Sequence, residues 1–180
     1  MLFYFVRHGQ TLANAQRIIA GGGQDYPLID EGHRQAELLA SVFKGKVDQE
    51  VHRLVASNLR RTQETGTYLS RVLGLPLETV NDLREWELGE WEGLDYATCT
   101  PLILGSGDPP GGETRKTFYA RVEAAWRTLH DEKKAYVMVS HGGVWMALQD
   151  ILQIPRFKID NCQLVRGTCY QGVWRAEIIA

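Results

Sequence analysis

The stretch LFYFVRHG, residues 2–9, places an arginine, a histidine and a glycine directly after five apolar residues. An apolar run with aromatic and β-branched members is typical of a central strand in a parallel sheet. Two further segments, residues 51–56 and 135–139, also predict strands and are also followed by polar residues. Ser57 follows the first of these, and Ser-His-Gly at 140–142 follows the second. The sequence therefore predicts three strands that present polar side chains at their carboxyl ends.

Helical patterns separate the strands, because apolar residues recur three and four positions apart. Residues 81–112 show no regular period, and GSGDPPGG at their end predicts a loop at 100–112. The alternation indicates an α/β fold, a three-layer sandwich in which helices flank a mixed, mostly parallel sheet. No repeat, low-complexity tract or linker divides residues 1–180, so one domain is expected. Near Asn14 a single helical turn is predicted. One helix is predicted to begin after the capping residue Asp30, and the other helices are predicted from Leu59 to Gly74, over 118–129 and over 144–152. Further strands are predicted at 77–80, 162–166 and 170–178, and the last two form a hairpin around 167–172.

Composition and charge exclude several classes of function. The chain has 180 residues, of which 44% are hydrophobic, and its net charge of −2 provides no global basic field for nucleic acid or an anionic membrane. The N-terminal apolar run of five residues is too short for a signal peptide or a membrane span, which predicts a cytoplasmic protein. The spacing of Cys99, Cys162 and Cys169 matches neither a disulfide framework nor a metal-binding pair, as in a reducing compartment.

The three strand ends are expected to meet. In a parallel sheet these ends lie at one edge, and ligands of open α/β sheets bind outside that edge. Arg7 and His8 would then converge with His141. Arg60 and Arg61, in the first helical turn after the second strand, would join them. The planar fork of arginine binds two phosphate oxygens at once, and a helix N-terminus adds backbone N–H donors. Such a set of residues indicates binding and transfer of a phosphoryl group.

A histidine in this field can take one of two roles. A neutral imidazole can attack phosphorus through one ring nitrogen, and adjacent arginines disfavour its protonation. A charged imidazole can instead stabilise the negative charge that develops during transfer. Gly9 and Gly142 would let the backbone approach the ligand closely. A metal site is the main alternative, but the sequence has neither HxH nor HExxH spacing and no aspartate close to either histidine, so no metal is predicted.

The stretch DLREWELGEWEGL, residues 82–94, offers carboxyl groups that could protonate a leaving oxygen. Its tryptophans can exclude water, and desolvation favours a protonated acid near neutral pH. The residues alone do not distinguish the acid from its neighbours, most of which must be solvated. The acid candidates are Asp82, Glu85, Glu87, Glu90 and Glu92, and the residues expected to shape the pocket are Trp86, Trp91, Ala20, Gly21 and the loop 100–112.

An ordered series of motifs resembles the histidine phosphatase superfamily, the phosphoglycerate mutase-like proteins. RHGQT at 7–11 resembles the RHG signature of that family, and Asn14 stands at the family's spacing after it. SNLRR at 57–61 resembles the element that carries a second phosphate-binding arginine, which is Arg61 here. The resemblance covers nearly the whole chain, with further similarity in LRE and GEWEG within 83–93, GGET at 111–114 and SHGG at 140–143.

This resemblance implies roles for individual residues. His8 would be the nucleophile and form a phosphohistidine, while Glu85 would protonate the leaving oxygen and then activate water. Arg7, Arg61 and His141 would hold the transferred phosphoryl group. The family needs no metal or other cofactor, and its partner is a small-molecule phosphate monoester. The residues expected beside the substrate are Asn14, Gln10, Ala20, Gly21 and Gly142.

Two features favour a phosphatase over a phosphoglycerate mutase. The glycolytic mutases of the family are longer and carry added segments that shield the intermediate. In this chain a short segment joins the acidic stretch to the next helix, and little follows the last predicted strand. Ala20 stands where those mutases carry a hydroxyl residue that contacts substrate. The mutase and a non-catalytic phosphate-binding module are the alternatives.

Overall fold

A computed structural model describes residues 1–47, 50–129 and 134–180. Within them, six strands form one mixed sheet flanked by helices, which confirms the predicted α/β class. No helix in these ranges combines the length and the apolar character that a bilayer span requires. The strands are β1 (Leu2–Arg7), β2 (Val51–Ala56), β3 (Leu77–Thr79), β4 (Ala135–Ser140), β5 (Leu164–Tyr170) and β6 (Val173–Ile178). The α-helices are α1 (Leu12–Gln16), α2 (Asp30–Phe43), α3 (Arg60–Leu73), α4 (Tyr96–Leu104), α5 (Arg115–Leu129) and α6 (Gly142–Ile151), with short 3-10 helices at Asn81–Leu83 and Gly89–Trp91.

The sheet order β3-β2-β4-β1-β5-β6 places the three predicted central strands side by side. Both β1 and β2 pair with β4 in parallel, whereas β5 and β6 are antiparallel to their neighbours. The pairing continues beyond the strands, because His8 N–H donates to Ser140 O at 3.0 Å and Ser57 N–H donates to Val139 O at 3.2 Å. The carboxyl ends of β1, β2 and β4 therefore lie together at one edge of the sheet.

Helices cover both faces of the sheet. Phe3 and Phe5 of β1 pack on one side with α5 and α6, whereas Tyr4 and Val6 pack on the other side with α2 and α3. All four side chains are inaccessible to solvent. Burial on both faces explains the continuous apolar run of β1, and the result is the three-layer sandwich that the sequence predicts.

The prediction of a loop at 100–112 is wrong for residues 100–104, because Tyr96–Leu104 form α4, a helix that is not among the predicted elements. Asp95 caps this helix, since its Oδ1 accepts Thr98 N–H at 3.0 Å. Pro101 lies inside the helix, and the helix is only weakly amphipathic, so no apolar stripe marks it in the sequence. The capping pair of Asp95 and Thr98 is the sequence signal that marks its start.

Two smaller predictions differ at element boundaries. Asp30 is the first residue of α2 and not its cap, which is Ile29. The closing hairpin turns at residues 171–172, both with positive φ, so Gly167 belongs to β5 and not to the turn. A Cβ at Gly167 would come within 2.0 Å of the Phe3 ring, so this glycine serves the packing of the core.

Candidate active site

Two histidines meet at the carboxyl edge of the sheet. His8 follows β1 and His141 follows β4, and the parallel pairing of these strands brings the two ring centroids to 5.2 Å. Both side chains are buried. The structure therefore brings together the two residues whose convergence the strand ends predict.

The surroundings of His8 determine the charge of its ring and which ring nitrogen carries the proton. Its Nδ1 lies 2.8 Å from Gly9 O, and because a carbonyl can only accept, Nδ1 carries the proton and Nε2 keeps its lone pair. Burial lowers the pKa of His8 well below its ordinary value of 6.5, and the charges of Arg61 and Arg7 lower it further. At neutral pH the imidazole is neutral, with Nε2 available as a nucleophile.

A serine at the end of β2 holds His141. The Nε2 atom lies 2.7 Å from Ser57 Oγ, which also accepts Leu59 N–H at 3.2 Å. Burial lowers the pKa of His141 well below 6.5, and the charge of Arg61 acts in the same direction. Both effects favour the neutral form of His141 and therefore disfavour the charged role that the sequence left open for a histidine in this site.

Of the two adjacent arginines, Arg61 faces the histidines. Its side chain is almost fully buried, and its terminal amino groups donate to Gly21 O at 2.8 Å and Gln24 O at 2.9 Å. It therefore holds the loop between α1 and α2 against the site. Arg60 points to solvent, where its Nε donates to Glu64 at 2.7 Å.

Arg7 approaches the site from the last residue of β1, and its Nη1 donates to Ile159 O at 3.0 Å. Three buried nitrogens have no hydrogen-bond partner among the described residues: Arg7 Nε, Arg61 Nε and His141 Nδ1. Unsatisfied buried polar atoms are rare because they are energetically unfavourable. The charges of Arg7 and Arg61 act on His8, and the ring of His141 lies beside the ring of His8. The three nitrogens are therefore suited to bind an anion that offers several oxygens.

Among the acid candidates of residues 82–92, Glu85 lies against the first turn of α6. Its Oε2 accepts Gly143 N–H at 3.0 Å in the first turn of α6, and its Oε1 accepts Trp86 N–H at 2.9 Å. Burial lowers the pKa of Arg61, and the charges of Glu85, Asp25 and Glu92 oppose that shift, so all three carboxylates are neighbours of Arg61. Glu92 turns instead to the glycine-rich loop, where it accepts a backbone N–H. In the described part of the chain, no three His, Cys, Asp or Glu side chains are grouped as a metal site would require.

Asn14 belongs to a hydrogen-bond network next to His8. Its Oδ1 accepts Thr11 N–H at 3.1 Å, and its Nδ2 lies 3.2 Å from Tyr96 OH, which links α1 to α4. Asn161 completes the network, because its Nδ2 donates to His8 O at 2.8 Å and lies 3.3 Å from Asn14 Oδ1. No sequence pattern marks Asn161, which lies in the irregular segment before β5, and only the folded chain brings it to the site.

The remaining predicted substrate residues are Gly142, Gly21, Ala20 and Gln10. Gly142 begins α6, and a Cβ there would come within 3.9 Å of Arg7 Nε. Gly21 lies in the loop whose carbonyls bind the buried arginine. Ala20 and Gln10 are partly exposed.

Trp86, predicted to shape the pocket, and Gly9, predicted to let the backbone approach the ligand, both make packing contacts. Trp86 is buried in the core, where it stacks on Phe118 with ring centroids 5.2 Å apart. Gly9 is required by the contact between β1 and α2, because a Cβ there would lie 2.6 Å from Gly32 O. The structure thus gives both residues a role in packing.

Comparisons with known proteins identify the family. A profile of the histidine phosphatase superfamily (branch 1) matches residues 3–180. A protein of Yersinia pestis (strain Pestoides F), named probable phosphoglycerate mutase GpmB, is 31% identical over 97% of this chain and 87% of its own length. The structure of mycobacterial glucosyl-3-phosphoglycerate phosphatase with VO3 superposes with a TM-score of 0.80 at 27% identity, covering 98% of this chain and 97% of that one. A putative alpha-ribazole-5'-P phosphatase from Escherichia coli K-12 shares the fold, with a TM-score of 0.82 at 22% identity and coverage of 99% and 96%. The chain therefore belongs to branch 1 of the histidine phosphatase superfamily.

Proposed function

We infer that this protein hydrolyses a small phosphate monoester through a phosphohistidine formed at His8. The observation that carries this proposal is the set of buried nitrogens without a partner in the described chain, Arg7 Nε, Arg61 Nε and His141 Nδ1, which belong to residues around His8. A phosphate dianion offers an oxygen to each of them. The phosphatase name of the mycobacterial structural relative supports the same reaction.

In the first step, His8 Nε2 attacks phosphorus while the bond between phosphorus and the ester oxygen breaks. The ester oxygen keeps the electron pair of that bond, and the phosphoryl group becomes attached to His8. The hydrogen bond from Nδ1 to Gly9 O orients the ring and stabilises the positive charge that the imidazole gains. Because burial keeps His8 neutral, no proton has to be removed before the attack.

Fixed donors stabilise the negative charge on the phosphoryl oxygens. Arg7 and Arg61 each offer a buried Nε–H. In this mechanism Ser57 Oγ is the donor in its 2.7 Å contact with His141 Nε2. A neutral imidazole has one N–H, which then lies on Nδ1, where it can bind the phosphoryl group. Preorganised donors of this kind are worth about 2.7–4 kcal/mol of the activation barrier.

Glu85 supplies a proton and then recovers one. Its carboxyl group protonates the leaving oxygen, which departs as an alcohol. The resulting carboxylate takes a proton from water, whose oxygen attacks the phosphohistidine, releases inorganic phosphate and restores His8. The backbone N–H groups of Trp86 and Gly143 hold the side chain in place, and general acid–base catalysis contributes about 10²–10⁴-fold.

Hydrolysis of 4-nitrophenyl phosphate, with and without a chelator, tests the proposal. We expect turnover that survives chelation and an acid-labile phosphoprotein during turnover. His8→Ala should reduce both to background, whereas His52→Ala, an exposed histidine of β2, is the matched control and should retain activity. Phosphate binding without turnover would contradict the proposal and favour a non-catalytic module. Loss of activity on chelation would indicate a metal-dependent mechanism instead.

A phosphoglycerate mutase is the second candidate, because the Yersinia relative at 31% identity carries that name. Both reactions share the phosphohistidine and differ in the acceptor, which is water for a phosphatase and a second hydroxyl for a mutase. Ala20 has no hydroxyl with which to contact a bound substrate, which favours water. Incubation with 3-phosphoglycerate separates the two: release of phosphate supports hydrolysis, and conversion to 2-phosphoglycerate without release identifies a mutase.

A further inference from the structure

Arg121 of α5 binds three backbone carbonyls of the segment that carries Glu85. Its Nη1 donates to Asp82 O at 2.9 Å and to Arg84 O at 2.6 Å, and its Nη2 donates to Glu85 O at 3.0 Å. A guanidinium group is planar and rigid, so these bonds fix the position of the three carbonyls relative to one another. The arginine therefore holds the backbone from which the proposed acid extends.

Glu113 holds the guanidinium group in turn. Its carboxylate oxygens accept from Arg121 Nε and Nη2, both at 2.8 Å. The backbone of Glu113 also binds the segment after Glu85, since its N–H donates to Glu87 O at 2.8 Å and its carbonyl accepts from Trp86 Nε1 at 2.7 Å. The arginine and glutamate side chains are 16% and 9% exposed. A bidentate pair that is mostly buried leaves little freedom to the segment on either side of the acid.

We propose that Arg121 is a positioning residue for Glu85, holding residues 82–85 so that the carboxyl group reaches the leaving oxygen beside α6. This inference rests on the proposed function, in which Glu85 protonates the leaving group. Arg121 acts through the backbone of Glu85, and the bond from Gly143 N–H then sets the carboxyl group at 3.0 Å from the first turn of α6. A misplacement of about 1 Å in such a group can lower a rate about 10²-fold.

A positioning role for a general acid predicts an effect that depends on the leaving group. A strongly acidic phenol leaves without a proton, whereas a weakly acidic one needs protonation as it departs. The ratio kcat/KM reports the steps up to formation of the phosphohistidine, which is where the leaving group is protonated. The comparison is therefore between kcat/KM for 2,4-dinitrophenyl phosphate, a good leaving group, and for phenyl phosphate, a poor one.

Arg121→Met keeps an unbranched side chain and removes the planar donor group. We expect kcat/KM for phenyl phosphate to fall about 10²-fold, with a much smaller loss for 2,4-dinitrophenyl phosphate. Arg127→Met is the matched control, because Arg127 lies on the exposed face of the same helix and pairs with Glu123. Both values should be unchanged in that control.

A double variant tests whether Arg121 acts through Glu85. In protein that already carries Glu85→Gln, Arg121→Met should lower kcat/KM for phenyl phosphate little further, because the group that it positions is gone. Losses that multiply would show that Arg121 acts on another part of the site and would overturn the inference.

The other outcomes separate this inference from the function on which it rests. If the wild-type protein hydrolyses neither ester, the proposed function fails and the inference fails with it. If the wild-type protein is active but Arg121→Met loses activity equally on both esters, or on neither, only the positioning role is overturned. Arg121→Lys, which keeps the charge without the fork, is measured beside it, with the thermal unfolding midpoint of each variant. If neither variant folds, Arg121 is a stability residue and the positioning role is rejected.

Discussion

At the residue scale, one hydroxyl group, that of Ser57, contacts the imidazole of His141. Ser57 Oγ accepts Leu59 N–H at 3.2 Å and lies 2.9 Å from Thr62 Oγ1, so the first turn of α3 fixes its position. Its contact of 2.7 Å with His141 Nε2 leaves Nδ1 as the nitrogen without a partner in the described chain. In the proposed mechanism Ser57 Oγ donates to Nε2, which assigns the single N–H of the neutral His141 ring to Nδ1.

We expect Ser57→Ala to lower kcat/KM for 4-nitrophenyl phosphate and the affinity for inorganic phosphate about fivefold each, because a hydrogen bond contributes about 1 kcal/mol. Without Ser57, the proton of His141 is no longer directed to Nδ1. Steady-state rates and the inhibition constant of phosphate provide the measurement. Ser41→Ala, on the exposed side of α2, is the matched control. A phosphate affinity equal to that of the wild type would show that the hydroxyl does not orient His141.

The sequence predicts Arg7, His8 and His141 because each stands where an apolar strand ends, which is a local pattern. Asn161 and Arg121 escape prediction for a physical reason: their partners come from distant parts of the chain. Asn161 donates to a carbonyl 153 residues earlier, and Arg121 to carbonyls 36, 37 and 39 residues earlier. Such contacts depend on the tertiary structure, which residue spacing does not encode.

At the element scale, the first turn of α6 brings the acid next to the phosphate-binding residues. Gly143 N–H donates to Glu85 Oε2 at 3.0 Å. A Cβ on Gly143 would lie 2.3 Å from Glu85 Oε1, whereas a Cβ on Gly142 would meet Arg7 Nε at an ordinary 3.9 Å. The two glycines are adjacent in sequence, but the carboxyl group occupies the side-chain position of only one of them.

Gly143→Ala should displace Glu85 and lower kcat/KM for phenyl phosphate about 10²-fold, with a smaller loss for 2,4-dinitrophenyl phosphate. Gly142→Ala should lose less on phenyl phosphate, because its added methyl group fits and alanine favours a helix over glycine by about 1 kcal/mol. Steady-state kinetics on the two esters compares the variants. Equal losses of kcat/KM in the two variants would show that the helix backbone, and not the position of the carboxyl group, had been disturbed.

Prediction from the sequence also has limits at the scale of elements. Helices α2 and α5 are evident because their apolar residues recur with the helical period and are buried against the sheet. Helix α4 is not evident, because it contains Pro101, which disfavours a helix, and because no face of it is consistently apolar. The order of the strands is also hidden, since β1 pairs with β4 on one side and with β5 on the other, and both lie far along the chain.

At the scale of the whole molecule, folding buries two histidines next to two arginines. Burial lowers the pKa of His8 and His141 well below 6.5, and the charge of Arg61 acts in the same direction. In the unfolded chain both groups have their ordinary pKa, so at pH values below 6.5 the unfolded chain binds protons that the folded protein does not. Their contribution to stability is therefore fully present above pH 6.5 and is lost as the pH falls from there through the lowered values.

We expect the free energy of unfolding in urea to decrease from about pH 7 to about pH 5, by up to about 1.4 kcal/mol per pH unit for each histidine. Carboxylates whose pKa is lowered by hydrogen bonds, such as Asp95 and Asp150 with an ordinary value of 3.8, lose their contribution at lower pH and do not affect this window. The double variant His8→Gln and His141→Gln removes both buried groups, so its free energy of unfolding should vary less over the same range. If the free energy of unfolding of the double variant decreased with falling pH as much as that of the wild type, the assignment would be contradicted. Other groups would then cause the decrease, and the two histidines would have to accept protons within the folded protein.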